Sequence, residues 1–490
     1  MDANVKSYVL AEHYALRGWK MLPCGLLNQR TLRAQFFNRE QYEVLLRADG
    51  MSSMHVEELT EHQIELLEKL VKEGALVELA PDERKRLTPF QEYAAFPARY
   101  VAQAHWSITG KCNYRCKHCM VSSPDAVLGE PSLEQCQRVI DQLSACGIYS
   151  MELTGGEPLV HPNFWDIVDY GLKRNVILSG IYTNGALVNQ ELIDGMKRRS
   201  LSPVFHISFD GVGHHDWLRG VTGAEDAANR AFVLCHKAGF PTTAAVTLHG
   251  QNRDCLRETV LHLSSLGVGM VKAAGMTDLG EWAKQDARYK LSDEDFFEEI
   301  LRYIPQYFED GAPTAIQIWG AFLCEGAGDT SVRGPLRWAK HDMSEQRAMK
   351  MPACEATRSS VYISPEGIVL PCMTMAGTDL EQYFPSLFEE DLRDILQDSL
   401  HFRAVDLRAA DLREAHEQCR NCEWFFDCLC GCRAEALVES GDLRGIGSTT
   451  CTFYRNGYAA RIQEAIDEAF RNVGGAEGTA NGPDGRIICQ

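Results

Sequence analysis

Residues 105–120 read "HWSITGKCNYRCKHCM", a β-rich run that feeds directly into three cysteines, Cys112, Cys116 and Cys119, spaced by three and then two residues. Three thiolates on one loop can converge on one inorganic centre, but three is an odd number. A structural zinc takes four Cys or His ligands, for which His118 is the neighbouring candidate, and an iron–sulfur cube also takes four. The order strand, polar loop, helix then recurs. β-rich runs at 105–109, 150–155, 177–183, 203–209, 242–248 and 269–274 alternate with helical patterns that include 163–174, 188–198, 224–238 and 253–266. Six β/α repeats predict a parallel sheet, either open and doubly wound or an incomplete barrel, and both bind ligands at the C-terminal ends of their strands. The polar motifs fall at those ends. The cysteine triplet follows the first strand, "GGEP" (Gly155, Gly156, Glu157, Pro158) the second, "TNG" with Thr183 and Asn184 the third, and "SFDG" with Ser208 and Asp210 the fourth.

Composition narrows the setting. With 490 residues, 45% hydrophobic and 24% charged, the chain is expected to fold into two or three globular domains. No run approaches the roughly 18 apolar residues of a membrane span. The start "MDANVKSYVLAEHYALRG" has neither the basic nor the apolar part of a signal peptide, so the expected location is the cytoplasm, with no membrane partner. In that reducing compartment 18 cysteines point to metal or catalytic chemistry rather than disulfides. The net charge of −19 argues against a broad nucleic-acid surface. Cys136 and Cys146 lie on the apolar side of a helix opened by a capping box at Ser132 and Gln135 and are read as core. Cys24, Cys235, Cys255, Cys324 and Cys489 stand alone and are read as small buried hydrophobes.

Residues 1–80 have another character. Strand-like pieces and a helix near 39–48 precede a helix from 61 that is capped by Thr60 and Gln63. This helix carries Ile64, Leu67, Leu70 and Val71 on one face and stops at Gly74 before a strand. The pattern predicts a winged-helix-like domain. With 12 Lys and Arg against 15 Asp and Glu over residues 1–95, it suits peptide capture on a strand edge better than phosphate contact. Residues 81–104 are read as a linker.

The triplet, its position after strand one and the "GGEP" that follows resemble the radical S-adenosylmethionine superfamily. That resemblance implies a partial (β/α)6 TIM-like barrel over 105–310, with a [4Fe-4S] cluster on Cys112, Cys116 and Cys119. S-adenosylmethionine would be chelated at the open iron and cleaved reductively to methionine and a 5′-deoxyadenosyl radical. It also implies cofactor contacts from Gly155, Gly156 and Pro158, an anchoring role for Glu157 on the cofactor's amino group, and ribose contacts from Ser208 and Asp210. Thr183 and Asn184 would line the cavity, and Arg219 of "HHDWLRG" would meet the cofactor carboxylate. His118 departs from the family, many of whose members carry an aromatic residue there.

Downstream, Cys354, Cys372, Cys419, Cys422, Cys428, Cys432 and Cys451 resemble the SPASM extension of that superfamily, here over 351–455, with 311–350 as a connecting segment and 456–490 as a helix and tail. The resemblance implies two auxiliary iron–sulfur clusters, one on Cys419, Cys422, Cys428 and Cys451 and the other on Cys354, Cys372 and Cys432. The second set is one thiol short. Anaerobic sulfatase-maturating enzymes have a further cysteine between the first two; 355–371 here has none. An iron open to a substrate thiolate, a fourth ligand from Cys430 or Glu355, or a smaller cluster would each satisfy the count. The N-terminal domain resembles the leader-recognition element of maturases of ribosomally made peptides. The expected activity is therefore hydrogen abstraction from a precursor peptide held by its leader, closing a thioether from a cysteine to a carbon, with a flavodoxin or ferredoxin-type electron donor. Carbon–carbon crosslinking, epimerisation and formylglycine formation in a sulfatase are the rivals within the family. A non-catalytic zinc-bound winged-helix protein is the rival outside it.

Overall fold

The protein, as a computed structural model, is described over residues 4–121, 128–327 and 344–472. Cys489, the tail 473–490 and part of the connecting segment 311–350 lie outside the described residues.

β1 (Val5–Leu10), β2 (Tyr14–Trp19), β3 (Gly25–Asn28), β4 (Arg33–Phe36), β5 (Met54–His55), β6 (Leu76–Leu79) and β7 (Ala94–Phe96) form two small sheets, ordered β5-β1-β6 and β4-β3-β2-β7. Two helices, Arg39–Leu46 and Glu61–Lys72, open on complete capping boxes at Asn38/Gln41 and Thr60/Gln63. Leu66 joins Leu67 and Leu70 as their buried face, against Tyr8, Leu10, Val44 and Leu45, whereas Ile64 and Val71 stay half-exposed. Gly74, at φ +72, turns the chain from the second helix into β6, a conformation that favours glycine. The stretch read as a linker is strapped down. Gln91, 2% exposed, donates from Nε2 to the carbonyls of Leu10 and Ala11, Arg17 donates to the carbonyls of Phe90 and Glu92, and β7 pairs parallel with β2.

The predicted β/α strands appear within two residues of their expected ends as β8 (Gln103–Ser107), β9 (Ser150–Thr154), β10 (Ile177–Thr183), β11 (Val204–Ser208), β12 (Thr242–Leu248) and β13 (Met270–Gly275). The sheet is larger than six. β14 (Ala315–Ile318) continues it in parallel and β15 (Phe322–Cys324) turns back antiparallel. At the other edge β16 (Ser360–Ile363), from the cysteine-rich C-terminal region, adds parallel to β8 and is followed by antiparallel β17 (Val369–Leu370). The order β15-β14-β13-β12-β11-β10-β9-β8-β16-β17 has free ends, as a partial barrel requires.

Alternation along these strands sorts the two faces. Trp106, Leu153, Ile181, Phe205 and Ile207 are at most 1% exposed and pack in one core with helices such as Leu133–Ala145, Phe164–Lys173 and Ala224–Ala238. The intervening residues are polar. His105 Nε2 lies 3.2 Å from Glu152 Oε2, the rings of Tyr182 and His206 stack 4.3 Å apart, and Gln103 reaches His105. A parallel sheet covered on both faces would read as continuous apolar runs; here the lumen side is polar.

Replacing Gln91 by Leu leaves the Leu10 and Ala11 carbonyls without this donor and should cost roughly 1–3 kcal/mol. Urea denaturation measures the loss, and hydrogen exchange should quicken across residues 88–96.

Candidate functional site

The cysteine triplet sits on a stretch, 111–121, with no helix or strand of its own. Its shape comes from neighbours. The N–H groups of Gly156 and Glu157 donate to the carbonyls of Thr109 and Lys111, both at 2.8 Å. A Cβ on Gly156 would strike the Lys111 carbonyl oxygen at 2.1 Å, and Gly155, at φ +147, has the Thr109 carbonyl in the same place at 2.4 Å. Only glycine lets the two loops lie this close. On the far side the N–H groups of Arg115 and Lys117 donate to the carbonyls of Arg219 and Leu218, at 3.3 and 2.8 Å. The Cys119 carbonyl accepts from Glu281 N–H at 2.9 Å. Asn113, which motif reading passed over, accepts from Asn184 Nδ2 at 2.7 Å and ties the loop to "TNG".

Two carboxylates stand beneath this loop, and both are held by hydrogen bonds within the chain. Glu157 is fully enclosed: Oε1 accepts from the Thr183 hydroxyl at 2.8 Å and from Leu159 N–H, and Oε2 from Asn184 N–H at 2.8 Å. Its carboxylate thus braces the loops, which motif reading alone could not foresee. Asp210 is also at 0% exposure. It pairs with Arg219 Nε at 2.7 Å, lies 3.1 Å from His215 Nδ1 and accepts from Thr247 N–H, so it serves as the buried counter-charge of Arg219. Arg219 in turn reaches Cys116 Sγ at 3.9 Å. Of the other expected contacts, Ser208 is half-buried at the end of β11, and Pro158, itself buried, opens a turn after Glu157.

Burial raises the Glu157 carboxyl to about 7, against three hydrogen bonds that pull it down. For Asp210 burial also pushes upward, but Arg219 and His215 outweigh it and hold the carboxyl well below the usual range. Burial lifts the thiols of Cys112, to about 12, and Cys116; the Arg219 charge opposes it at Cys116. Metal binding at these residues therefore entails release of their protons. Burial brings His118 down to about 3, which leaves it neutral.

The C-terminal cysteines gather in two places. Cys419, Cys422, Cys428 and Cys451 line one cavity together with Trp424, Tyr454 and Arg455. Cys372 is half-buried beside Cys354 and Cys432, within mutual electrostatic reach, and desolvation raises its thiol to about 12. Cys430, considered as a fourth ligand for this second set, faces the first cavity instead. Arg433, missed in the sequence although it directly follows Cys432, is 3% exposed and its charge acts on cysteines of both sets. Among the described residues no three such ligands stand close enough to grip a single metal ion; a cube has its four sulfurs spread over separate corners. The donor sets, three thiols at the barrel mouth and two groups behind it, fit iron–sulfur clusters.

Residues 106–263 match the family model described as the radical SAM superfamily, and 354–423 match that of SPASM, an iron–sulfur cluster-binding domain. The chain is 26% identical over 349 residues to the AdoMet-dependent heme synthase of Methanosarcina barkeri, covering 69% of this chain and 92% of that protein. It is 36% identical over 137 residues to the mycofactocin maturase MftC of Mycobacterium tuberculosis, 28% of this chain and 34% of that one. In fold it is similar to SuiB of Streptococcus suis, solved bound to S-adenosylmethionine. The TM-score is 0.62 at 16% identity, over 90% of this chain and 99% of SuiB.

Two outcomes follow from the buried carboxylates. Asp210→Asn leaves Arg219 charged and unpaired and should cost roughly 3–5 kcal/mol in urea denaturation; adding Arg219→Met should recover part of that loss. The Glu157 pKa of about 7 exceeds the unfolded value of about 4.3. The native state therefore holds an extra proton between these values, and the stability contributed is full below the lower one and lost as pH rises to the upper. Glu157→Gln should remove that slope, which is read as the difference in urea midpoints between the two proteins across the same pH range.

Proposed function

The chain carries a radical S-adenosylmethionine domain joined to an iron–sulfur-binding SPASM domain, and from that premise we propose that it matures a ribosomally made peptide by closing a thioether between a cysteine and a carbon. The observation that carries the proposal is the division of thiols: three at the barrel mouth, a full set in one C-terminal cavity, and three in the other. When bound at the mouth, S-adenosylmethionine and the reduced cluster supply a 5′-deoxyadenosyl radical that takes hydrogen from carbon.

The chain's own residues orient and shield. Cys112, Cys116 and Cys119 would hold the cluster, the loop of Gly155 and Gly156 packed against them would border the cofactor, and Ser208, Thr183 and Asn184 would line its space. Asp210 fixes Arg219 beside Cys116, where the guanidinium's remaining N–H groups are available to a carboxylate. Cys354, Cys372 and Cys432 offer three corners of a cube, and a substrate thiolate would supply the fourth, which lowers that thiol's pKa and fixes its position. Crosslinking would remove two hydrogens from the peptide, one as an atom from carbon and the other as a proton and an electron, and the auxiliary cysteines would hold the group that takes up the electron. The polar belt of His105, Glu152, Tyr182 and His206 lies one pleat below the cofactor-facing strand ends, along the path of a peptide entering the lumen. SuiB has been crystallised bound to its precursor peptide SuiA. Here the sheet edge at β6, with Val77 46% exposed, is the surface we assign to a leader added as a strand. A flavodoxin or ferredoxin-type protein would supply the electron. No described helix is long and apolar enough to cross a membrane.

The breadth of the match to the Methanosarcina heme synthase favours one other reading, action on a haem precursor. Anaerobic incubation with dithionite, S-adenosylmethionine and a cysteine-bearing synthetic peptide encoded beside the gene separates the two. The thioether reading predicts loss of two hydrogens per crosslink and loss of one alkylatable thiol. Unchanged mass with deuterium uptake would mean epimerisation, and turnover of an iron porphyrin with the peptide untouched would sink the peptide reading.

A further inference from the structure

The cavity lined by Cys419, Cys422, Cys428 and Cys451 contains one cysteine more than a cube needs. Cys430 lines it too, is 1% exposed, and has its Sγ 3.6 Å from Cys419 Sγ. Its presence there requires an unusual backbone. Leu429, Cys430 and Gly431 run through φ values of +45, +58 and +78, three successive residues in the left-handed region, two of them not glycine. Each non-glycine residue there costs on the order of 1 kcal/mol or more, and such strain persists only when its surroundings enforce it. They do so here. The Arg433 guanidinium donates to the carbonyls of Leu429, Cys430, Gly431, Leu443 and Gly445, and Gly447 N–H donates to the Cys430 carbonyl at 2.8 Å. A buried arginine, used as a backbone clamp, thus keeps a fifth sulfur directed into a cavity that already has four.

We infer that Cys430 and Cys419 are interchangeable ligands of the auxiliary cluster in this cavity, either one completing the set with Cys422, Cys428 and Cys451. The inference rests on the reading of the cavity as a cluster site. A change of one χ1 rotamer moves a thiol sulfur by about 3 Å, most of the distance between the two. Cys430 can therefore take the position of Cys419 without displacement of the clamped backbone.

The test uses the full chain, reconstituted anaerobically with iron and sulfide, and reads iron per chain and the electron paramagnetic resonance of the dithionite-reduced protein. Cys419→Ala and Cys430→Ala should each keep the wild-type iron content, with the auxiliary signal retained but shifted in Cys419→Ala because its ligand has changed. The double variant should lose about a third of the iron, one cube of three, as should Cys428→Ala. Cys419→Val, which fills the site, repeats the measurement should the alanine variant lose its far-ultraviolet circular dichroism. If either Cys419 variant, still folded, loses as much iron as the double variant, the two ligands are not interchangeable. If Cys428→Ala keeps all its iron, the cavity holds no cluster, and the reading beneath the inference fails with it.

Discussion

The barrel mouth depends on one constraint: three thiols ride on a loop that has no helix or strand of its own and only short turn bonds such as Cys119 N–H to the Cys116 carbonyl, so its shape is held largely by neighbouring segments. The "GGEP" loop grips its root, the helix His215–Arg219 grips its middle, and Glu281 takes its end. An unsupported loop of this length would sample many shapes, and fixing each residue costs about 1–2 kcal/mol in backbone entropy. The two glycines matter because they remove the Cβ atoms that would keep the gripping backbones apart. The buried carboxylates matter because they hold the gripping loops in turn, Glu157 through Thr183 and Asn184, Asp210 through Arg219 and Thr247.

The same device recurs at the other end of the chain. Arg433 spends its guanidinium on backbone carbonyls around two groups of cysteines, so that a cationic side chain becomes a structural strut between them. Burial lowers its pKa, while the neighbouring thiols favour its charge. Arg219 and Arg433 are thus both placed beside sulfur, where a cation offsets the negative charge that thiolates gain on binding metal.

The C-terminal region docks onto the barrel by strand pairing. β16 extends the sheet from β8 in the register Ser360 opposite Gln103 and Ile363 opposite Trp106, and its antiparallel turn into β17 brings Cys372, which follows the hairpin, back beside Cys354, which precedes it. The cysteine-rich region is therefore held relative to the mouth by backbone hydrogen bonds, a rigidity that suits electron transfer between fixed centres.

The sequence by itself determined the order of strands and helices, the ends at which the motifs gather, the capping boxes at Thr60 and Ser132, and the sorting of cysteines into clustered and solitary. All of these follow from short-range periodicity and spacing. It did not reveal that Glu157 and Asp210 are wholly enclosed, that Gln91 and Arg17 strap the supposed linker, that the sheet gains strands at both edges, or that Cys430 belongs with Cys419 rather than Cys432. Those facts depend on contacts between residues far apart in the chain: 26 positions separate Glu157 from Thr183 and 81 separate Gln91 from Leu10. A motif names the residue that can do a given chemistry. Only the folded chain decides whether that residue faces a ligand or holds its neighbours, because burial and hydrogen-bond supply are properties of the packed surroundings.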